Sequence, residues 1–252
     1  MALTDLVFPV LTALNDLVLG GLPALLGLVA WGAISGAIAM AIYWWLSPQA
    51  RIAATNAEIK AMRVELKAAG DDLAETLRLS RRNLMLSLRV LGLAFGATVV
   101  SGLPVLAIIL WVSATFGYAS PAPGESIGLV VQPAAATLTG AALAPATAGG
   151  QRLIWPADGQ EIRLGDGTGE IFAGPLSATG FGVIHKRRWW NLLLGNDLGY
   201  LDEKGAVDSI SLGLADRRIL GGLPDWLSTW EFPFFLSLVI VSLGLKFGFR
   251  IQ

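Results

Sequence analysis

The sequence predicts an α-helical membrane protein with three transmembrane helices, a cytoplasmic antiparallel coiled-coil hairpin and a small extracytoplasmic β-rich domain. Three stretches are nearly free of charge, a charged segment with helical periodicity separates the first two, and short alternating runs precede the third. Over its 252 residues the chain is 54% hydrophobic but only 15% charged, whereas soluble domains carry about 25% charged residues. The shortfall of charge is local, which is typical of a multi-span membrane protein.

The composition also excludes several classes of function. The formal net charge of −1 argues against a nucleic-acid partner, because such partners require basic surfaces. The chain has no cysteine, which excludes disulfides, thiol catalysis and cysteine-ligated metal sites. It has one histidine, so a multi-histidine metal site is excluded as well. We therefore expect no catalytic residue, no metal, no cofactor and no small-molecule substrate.

The three predicted spans cover residues 22–46, 90–118 and 232–249. About 20 apolar residues suffice to cross a bilayer. Gly32 and Gly36 form a GxxxG pair in the first span, which either lets another helix pack closely or reflects the general abundance of small residues in such helices. In the second span, we expect Pro104 to bend the helix.

Residues 1–20 precede the first span and are mildly amphipathic. Apolar residues recur at helical spacing, with Asp5, Asn15 and Asp16 among them. The segment has no basic region of the kind that begins a signal peptide. It is predicted to form a helix that lies at the membrane interface, or else a short prelude to the first span.

Residues 48–89 are predicted to form two antiparallel helices that project from the membrane. The segment carries eight basic and five acidic residues. Gly70-Asp71 in the middle is typical of a helix stop followed by an N-cap. We expect the second helix to continue into the second span without a break. The apolar residues that recur in steps of three, four and seven predict one seam between the helices; they are Ile52, Ile59, Met62, Leu66, Leu73, Leu77, Leu84 and Leu88.

Residues 119–230 are predicted to form the β-rich domain, of which 119–150 look like a linker with one strand near 127–131. Asp158-Gly159 and Asp166-Gly167 separate short alternating runs, a pattern that predicts hairpins. Strands are expected at 152–155, 161–164, 170–172, 182–186 and 207–212. Tryptophans close to the spans are predicted to anchor the chain at the headgroup layer; they are Trp44, Trp45, Trp189, Trp190, Trp226 and Trp230.

The orientation follows from the basic residues close to the spans. Arg51, Arg82 and Arg89 flank the hairpin segment, and the C-terminal tail adds Lys246 and Arg250. Positive charge near the spans is retained in the cytoplasm. We therefore expect a multi-pass protein of the inner (plasma) membrane with its N-terminus and β-rich domain outside, and its hairpin and C-terminus in the cytoplasm.

An arginine cluster lies where the hairpin meets the second span, and it is the main candidate for client or lipid contact. Its members are Arg78, Arg81, Arg82 and Arg89. Three interpretations remain open. The arginines attract anionic lipid headgroups, at about 1 kcal/mol per basic residue; they contact a polar or acidic segment of a client polypeptide; or they only set the topology.

Features of the β-rich domain that resemble catalytic or binding motifs are interpreted as structural. His185 lies in a predicted strand and is expected to be a surface residue. Gly165–Gly169 has the glycine spacing of a phosphate loop, but it joins two strands and so lacks the helix N-terminus that binds phosphate. Asp202-Glu203 is expected to be a solvated turn in preference to a weak cation site.

The order of these parts resembles the YidC/Oxa insertase superfamily, and most closely its three-span branch with archaeal YidC-like proteins and endoplasmic-reticulum relatives. The resemblance covers Ile59 to Trp111, about a fifth of the chain. It is carried by Met62, Gly70-Asp71, the helix Leu77 to Leu88, Leu103-Pro104 and Trp111. It implies a protein that helps to place transmembrane segments into the bilayer, through a hydrophilic groove that often holds a positive charge. Here the nearest candidates for that charge are Arg82 and Arg89.

The predicted function is therefore a non-enzymatic insertase-like protein or membrane-protein chaperone that acts through the hairpin and a membrane groove. Its partners would be the lipid bilayer and membrane-protein clients. The alternative is an accessory subunit of a larger membrane complex. A sensor that passes a signal from the β-rich domain to the hairpin ranks third, because the sequence shows neither a ligand pocket nor an output module.

Overall fold

The structure is a computed structural model that describes residues 3–68, 73–144, 150–157, 159–167, 169–189, 195–196 and 198–251. The helices are α1 (Leu3–Val18), α2 (Ala24–Leu46), α3 (Gln49–Ala68), α4 (Leu73–Phe116), α5 (Asp225–Ser228) and α6 (Glu231–Gly248). The strands are β1 (Ser126–Gln132), β2 (Arg152–Ile154), β3 (Glu161–Gly165), β4 (Glu170–Pro175), β5 (Val183–Lys186), β6 (Tyr200–Leu201) and β7 (Ser209–Leu212).

Three helices are long and apolar enough to cross a membrane, namely α2, α4 and α6. This agrees with the three predicted spans. The longest, α4, has 44 residues and is about 66 Å long at 1.5 Å per residue. Because hydrocarbon is only about 30 Å thick, α4 is longer than a span requires, and it is unbroken from Leu73 to Phe116, as the sequence predicted for the junction of the second hairpin helix and the second span.

The chain divides into two compact units, which are described separately. The first comprises residues 1–28 and 109–233 and contains α1 and all of the strands listed above. The second comprises residues 29–108 and 234–252 and contains α3, α6 and most of α2 and α4.

The first unit contains a five-stranded sheet with the strand order β2-β1-β7-β5-β6, and a separate β3–β4 hairpin. Neighbouring strands are antiparallel except for the parallel pair of β5 and β6. All six predicted strand segments are strands. The two-residue strand β6 was not predicted, because two residues are too few to show an alternating pattern.

The segment predicted to be linker-like is part of the sheet and its core, so that prediction is wrong for residues 119–144. β1 lies between β2 and β7, and its alternate side chains Ile127, Leu129 and Val131 are buried. Leu138 is also buried. The side chain of Gln151 donates to the Leu138 carbonyl at 3.3 Å and accepts from its amide at 3.2 Å. Leu138 was not predicted to be a core residue because the small residues Ala, Gly, Pro and Thr dominate the surrounding sequence.

Helix α1 packs onto the rest of the first unit through one face. Phe8 and Leu11 are buried. The backbone amide of Gly195 donates to Thr4 Oγ1 at 2.7 Å, and Trp111 Nε1 donates to Thr12 Oγ1 at 3.0 Å. The opposite face leaves apolar side chains exposed, namely Leu6, Val10, Leu14 and Leu17. An apolar outer face suits the predicted interfacial position.

In the second unit, two glycines of α2 lie against α6. A Cβ atom at Gly32 would collide with the Ser237 side chain and the Phe234 carbonyl oxygen, and one at Gly36 would lie 2.7 Å from the Leu238 carbonyl oxygen. Absence of a Cβ at both positions lets the two backbones approach closely, which is how small residues stabilise helix pairs in lipid.

Helices α3 and α4 bury a small apolar cluster of Ile59, Met62, Leu79 and Leu86. Of the four residues predicted for the seam on α3, Ile59 and Met62 belong to this cluster and Leu66 packs against it. Ile52 is buried but is not part of the cluster. The seam prediction for α4 is wrong. The residues predicted for the seam are 51 to 84% exposed, whereas Leu79 is 2% and Leu86 is 9% exposed; the exposed ones are Leu73, Leu77, Leu84 and Leu88. α4 has two apolar faces, and the sequence alone did not distinguish them.

The glycine contact makes a stability prediction. We expect Gly32→Ala to destabilise the protein by about 1–3 kcal/mol, because the added methyl group must push α6 away. Gly27→Ala is the matched control on the same helix, since a Cβ there would meet nothing within 4 Å, and it should leave stability unchanged or raise it slightly. Thermal unfolding in one detergent, followed by circular dichroism, measures both. Equal midpoints for the two variants would contradict the close packing.

Candidate functional site

The candidate site is the basic portion of α4, which precedes the charge-free part of that helix. Arg78 is paired with Glu75: its Nη2 lies 2.6 Å from Glu75 Oε1, and its Nε donates to Oε2 at 2.8 Å. Glu75 lies well before the charge-free run. The hydrogen bonds from Arg78 hold the pKa of the Glu75 carboxyl below its ordinary value. The charge of Arg78 is therefore largely balanced within its own helix.

The other three arginines of the cluster are not balanced in this way. The side chains of Arg81, Arg82 and Arg89 are exposed, and they form no ion pair with any carboxylate of the described ranges. Such exposed guanidinium groups can each donate several hydrogen bonds to carboxylate or phosphate. The arrangement suits binding of an anion or an acidic segment.

Asn83 lies on the face of α4 that is turned toward α3. It falls at helical spacing between Leu79 and Leu86, and its Oδ1 is buried without a hydrogen-bond partner among the residues that the structure describes. A polar residue at such a position fixes the register of a helix pair at a cost in stability. The sequence analysis missed this residue.

The predicted helix-packing residues occupy different environments. Gly32 and Gly36 face α6, as described above. Pro104 lies inside α4, which continues for twelve residues beyond it to Phe116. One turn earlier, Ser101 Oγ donates to the Thr98 carbonyl at 3.0 Å. The proline does not end the helix.

The predicted interfacial tryptophans divide into exposed and buried ones. Trp44, Trp45, Trp189 and Trp226 are 59 to 81% exposed, as anchors at a headgroup layer would be. Trp230 is only 7% exposed; it packs within the fold, which corrects its prediction as an anchor. Trp190 lies outside the described residues.

The polar groups of the β-rich domain hold local backbone. The imidazole Nδ1 of His185 lies 2.8 Å from the Lys186 carbonyl oxygen. The side chain of Asp166 accepts hydrogen bonds from the Gly169 and Ala206 amides at 3.2 and 2.7 Å. These bonds stabilise the glycine-rich connection between β3 and β4. Asp202 accepts from the Lys204 amide within a turn. Across the described part of the chain, no three His, Asp or Glu residues group as a metal site would require.

The arginine cluster therefore lies beside an exposed apolar face that the sequence analysis had placed in the seam. Leu77, Leu84 and Leu91 repeat every seven residues, and so do the buried Leu79 and Leu86, so spacing alone does not distinguish the exposed face from the buried one. Comparisons with protein-family models, with curated proteins and with solved structures find no match to this chain.

Proposed function

We propose that this protein is an insertase-like protein or membrane-protein chaperone related to the three-span branch of the YidC/Oxa superfamily. The observation that carries the proposal is the continuity of α4. One helix runs from a packed, charged helix pair into a charge-free run of 27 residues, from Val90 to Phe116. A client that contacts the extension is thereby delivered beside a transmembrane segment.

The charges on α4 support this function. Arg82 and Arg89 are exposed and unpaired within the described chain, and Arg89 is the last charged residue before the apolar run. Polar or acidic parts of a client would be held there, while its apolar part enters lipid. Anionic lipid headgroups are a second set of ligands for the same arginines.

The proposed topology places the α3–α4 pair, as an antiparallel coiled-coil hairpin, and the C-terminus in the cytoplasm. The N-terminus and the β-rich domain lie outside, which is the periplasm in a bacterium. Three spans place residues 48–89 and 119–230 on opposite sides. The basic residues beside the hairpin set the direction.

The alternative function is an accessory subunit of a larger membrane complex. It is favoured by apolar side chains that are exposed on the part of α4 that precedes the charge-free run, such as Leu73 and Leu77. A permanent partner would cover them. Purification in a mild detergent distinguishes the two functions. A subunit brings down partners in fixed stoichiometry, whereas an insertase-like protein is recovered alone or with substoichiometric clients.

The arginines make the central prediction. We expect Arg82→Glu with Arg89→Glu to lower the crosslinking of a newly synthesised single-span protein to the full chain in proteoliposomes about fivefold, the effect of two exposed charge contacts. A photoreactive residue at Met85, which is 55% exposed and lies on the same side of α4 as both arginines, reports the contact.

The matched control makes the same change of charge on α3, with Arg63→Glu and Lys67→Glu. Both side chains are exposed, and the control should retain crosslinking. Absence of client crosslinks to the unchanged protein, or equal losses in the two double variants, would contradict the proposal.

The topology makes a further prediction, which the lack of cysteine makes simple to test. Lys67→Cys and Glu203→Cys each introduce a single exposed thiol. In intact cells, an impermeant maleimide should label Glu203→Cys, and it should label Lys67→Cys only after permeabilisation. Labelling of both from the same side would refute the three-span arrangement.

A further inference from the structure

A continuous apolar stripe runs along the face of α4 that is turned away from α3. Leu77, Leu84 and Leu91 repeat every seven residues. Leu88 lies four residues after Leu84, and Phe95 lies four residues after Leu91. Their exposed fractions lie between 51 and 71%. Since Leu79 and Leu86 on the other side already fill the contact with α3, the stripe is a second helix-packing face with the spacing of a coiled coil.

Lipid accounts for only part of this stripe. Leu91 and Phe95 follow Arg89 and belong to the charge-free run, where hydrocarbon can solvate them. The portion from Leu73 to Leu88 precedes Arg89 and extends about 24 Å along the same uninterrupted helix. A helix that crosses the bilayer cannot also lie flat on its surface. This portion therefore exposes leucines to water, and such a patch marks a site of protein contact.

The two edges of the stripe differ in charge. At 3.6 residues per turn, Arg78, Arg82 and Arg89 fall on one edge. Ser80 and Ser87 fall on the other edge, and the hydroxyl of Ser87 donates to the Asn83 carbonyl at 2.9 Å within the helix. Because Glu75 pairs with Arg78, the net positive charge of the first edge comes from Arg82 and Arg89, whereas the other edge is neutral. A partner with matching charge would carry acidic residues along one edge of its own apolar stripe.

Arg81 argues against a second copy of this chain as the occupant. It lies within the stripe, between Leu77 and Leu84. In a two-fold dimer in one membrane the two α4 helices would run parallel, and Arg81 would face its own copy at a core position. The exposed face of α3 offers no substitute, because Val64 is the single large apolar side chain exposed on that helix in the described range.

We propose that the α4 stripe is a docking surface for an acidic amphipathic helix of another protein, outside the bilayer. Its leucines pack against the apolar face of the partner, the arginine edge pairs with carboxylates, and Arg81 fixes the register by meeting an acidic residue in the seam. The inference goes beyond the proposed insertase-like activity, because it concerns a helix that is held outside the membrane and never enters it.

The test uses the full chain in nanodiscs and a fluorescent four-heptad peptide with Leu at positions a and d and Glu along one edge. A matched peptide carries Lys in place of Glu, and empty nanodiscs give the background. We expect the Glu peptide to bind about tenfold more tightly than the Lys peptide at low salt, and this preference to shrink as salt is added. Fluorescence anisotropy measures both affinities.

Variants of exposed residues locate the binding surface without disturbing the core. Leu77→Asp with Leu84→Asp should abolish binding of the Glu peptide. Arg78→Glu with Arg82→Glu and Arg89→Glu should reverse the preference toward the Lys peptide. Val64→Asp on α3, which is 66% exposed, is the control and should change nothing.

Three results would overturn the docking surface. They are equal affinity for the two peptides, no binding above empty nanodiscs, and a disulfide-linked dimer of Leu84→Cys on oxidation in native membranes. The last result would identify a second copy as the occupant. None of them bears on client crosslinking at the membrane, so the failure of this inference is separable from the failure of the proposed function.

Discussion

The structure depends on one constraint, which is that hydrocarbon satisfies neither charges nor unpaired backbone groups. It explains why charge is confined to particular stretches and why α2, α4 and α6 are uninterrupted helices. In the proposed topology it also gives Arg89 its importance, because the last charge before the apolar run marks where α4 would leave water. In that topology, exposed leucines of α4 that precede Arg89 face water, whereas those that follow it face lipid.

The two units are stabilised in different ways. The β-rich part of the first unit has a conventional core, in which alternate residues of β1 and its neighbours are buried. The second unit buries little. Its close contacts are the backbone approach at Gly32 and Gly36, the four apolar side chains between α3 and α4, and the buried side chains of Trp31, Ile52 and Phe234.

Much of the architecture follows from the sequence, because charge-free length and alternation are local properties. The spans, the unbroken α4 and six strands were predictable for that reason. Features that depend on tertiary contact were not. The backbone of the buried Leu138 is held by a hydrogen bond to the side-chain amide of Gln151, which is distant in the sequence. Trp230 resembled an interfacial anchor but is buried. On α4 the arginines were evident, yet periodicity alone does not specify which of its two apolar faces meets α3.

The amide oxygen of Asn83, which is buried without a hydrogen-bond partner in the described part of the chain, has a consequence for motion. A carbonyl that gives up water without gaining a donor costs about 1–3 kcal/mol, and it regains that energy whenever the helices part enough to admit a water molecule. The α3–α4 pair is thus expected to open at Asn83 at the lowest cost in free energy, on the timescale of local opening. Such loosening would separate α3 from α4 locally while both helices keep their internal hydrogen bonds.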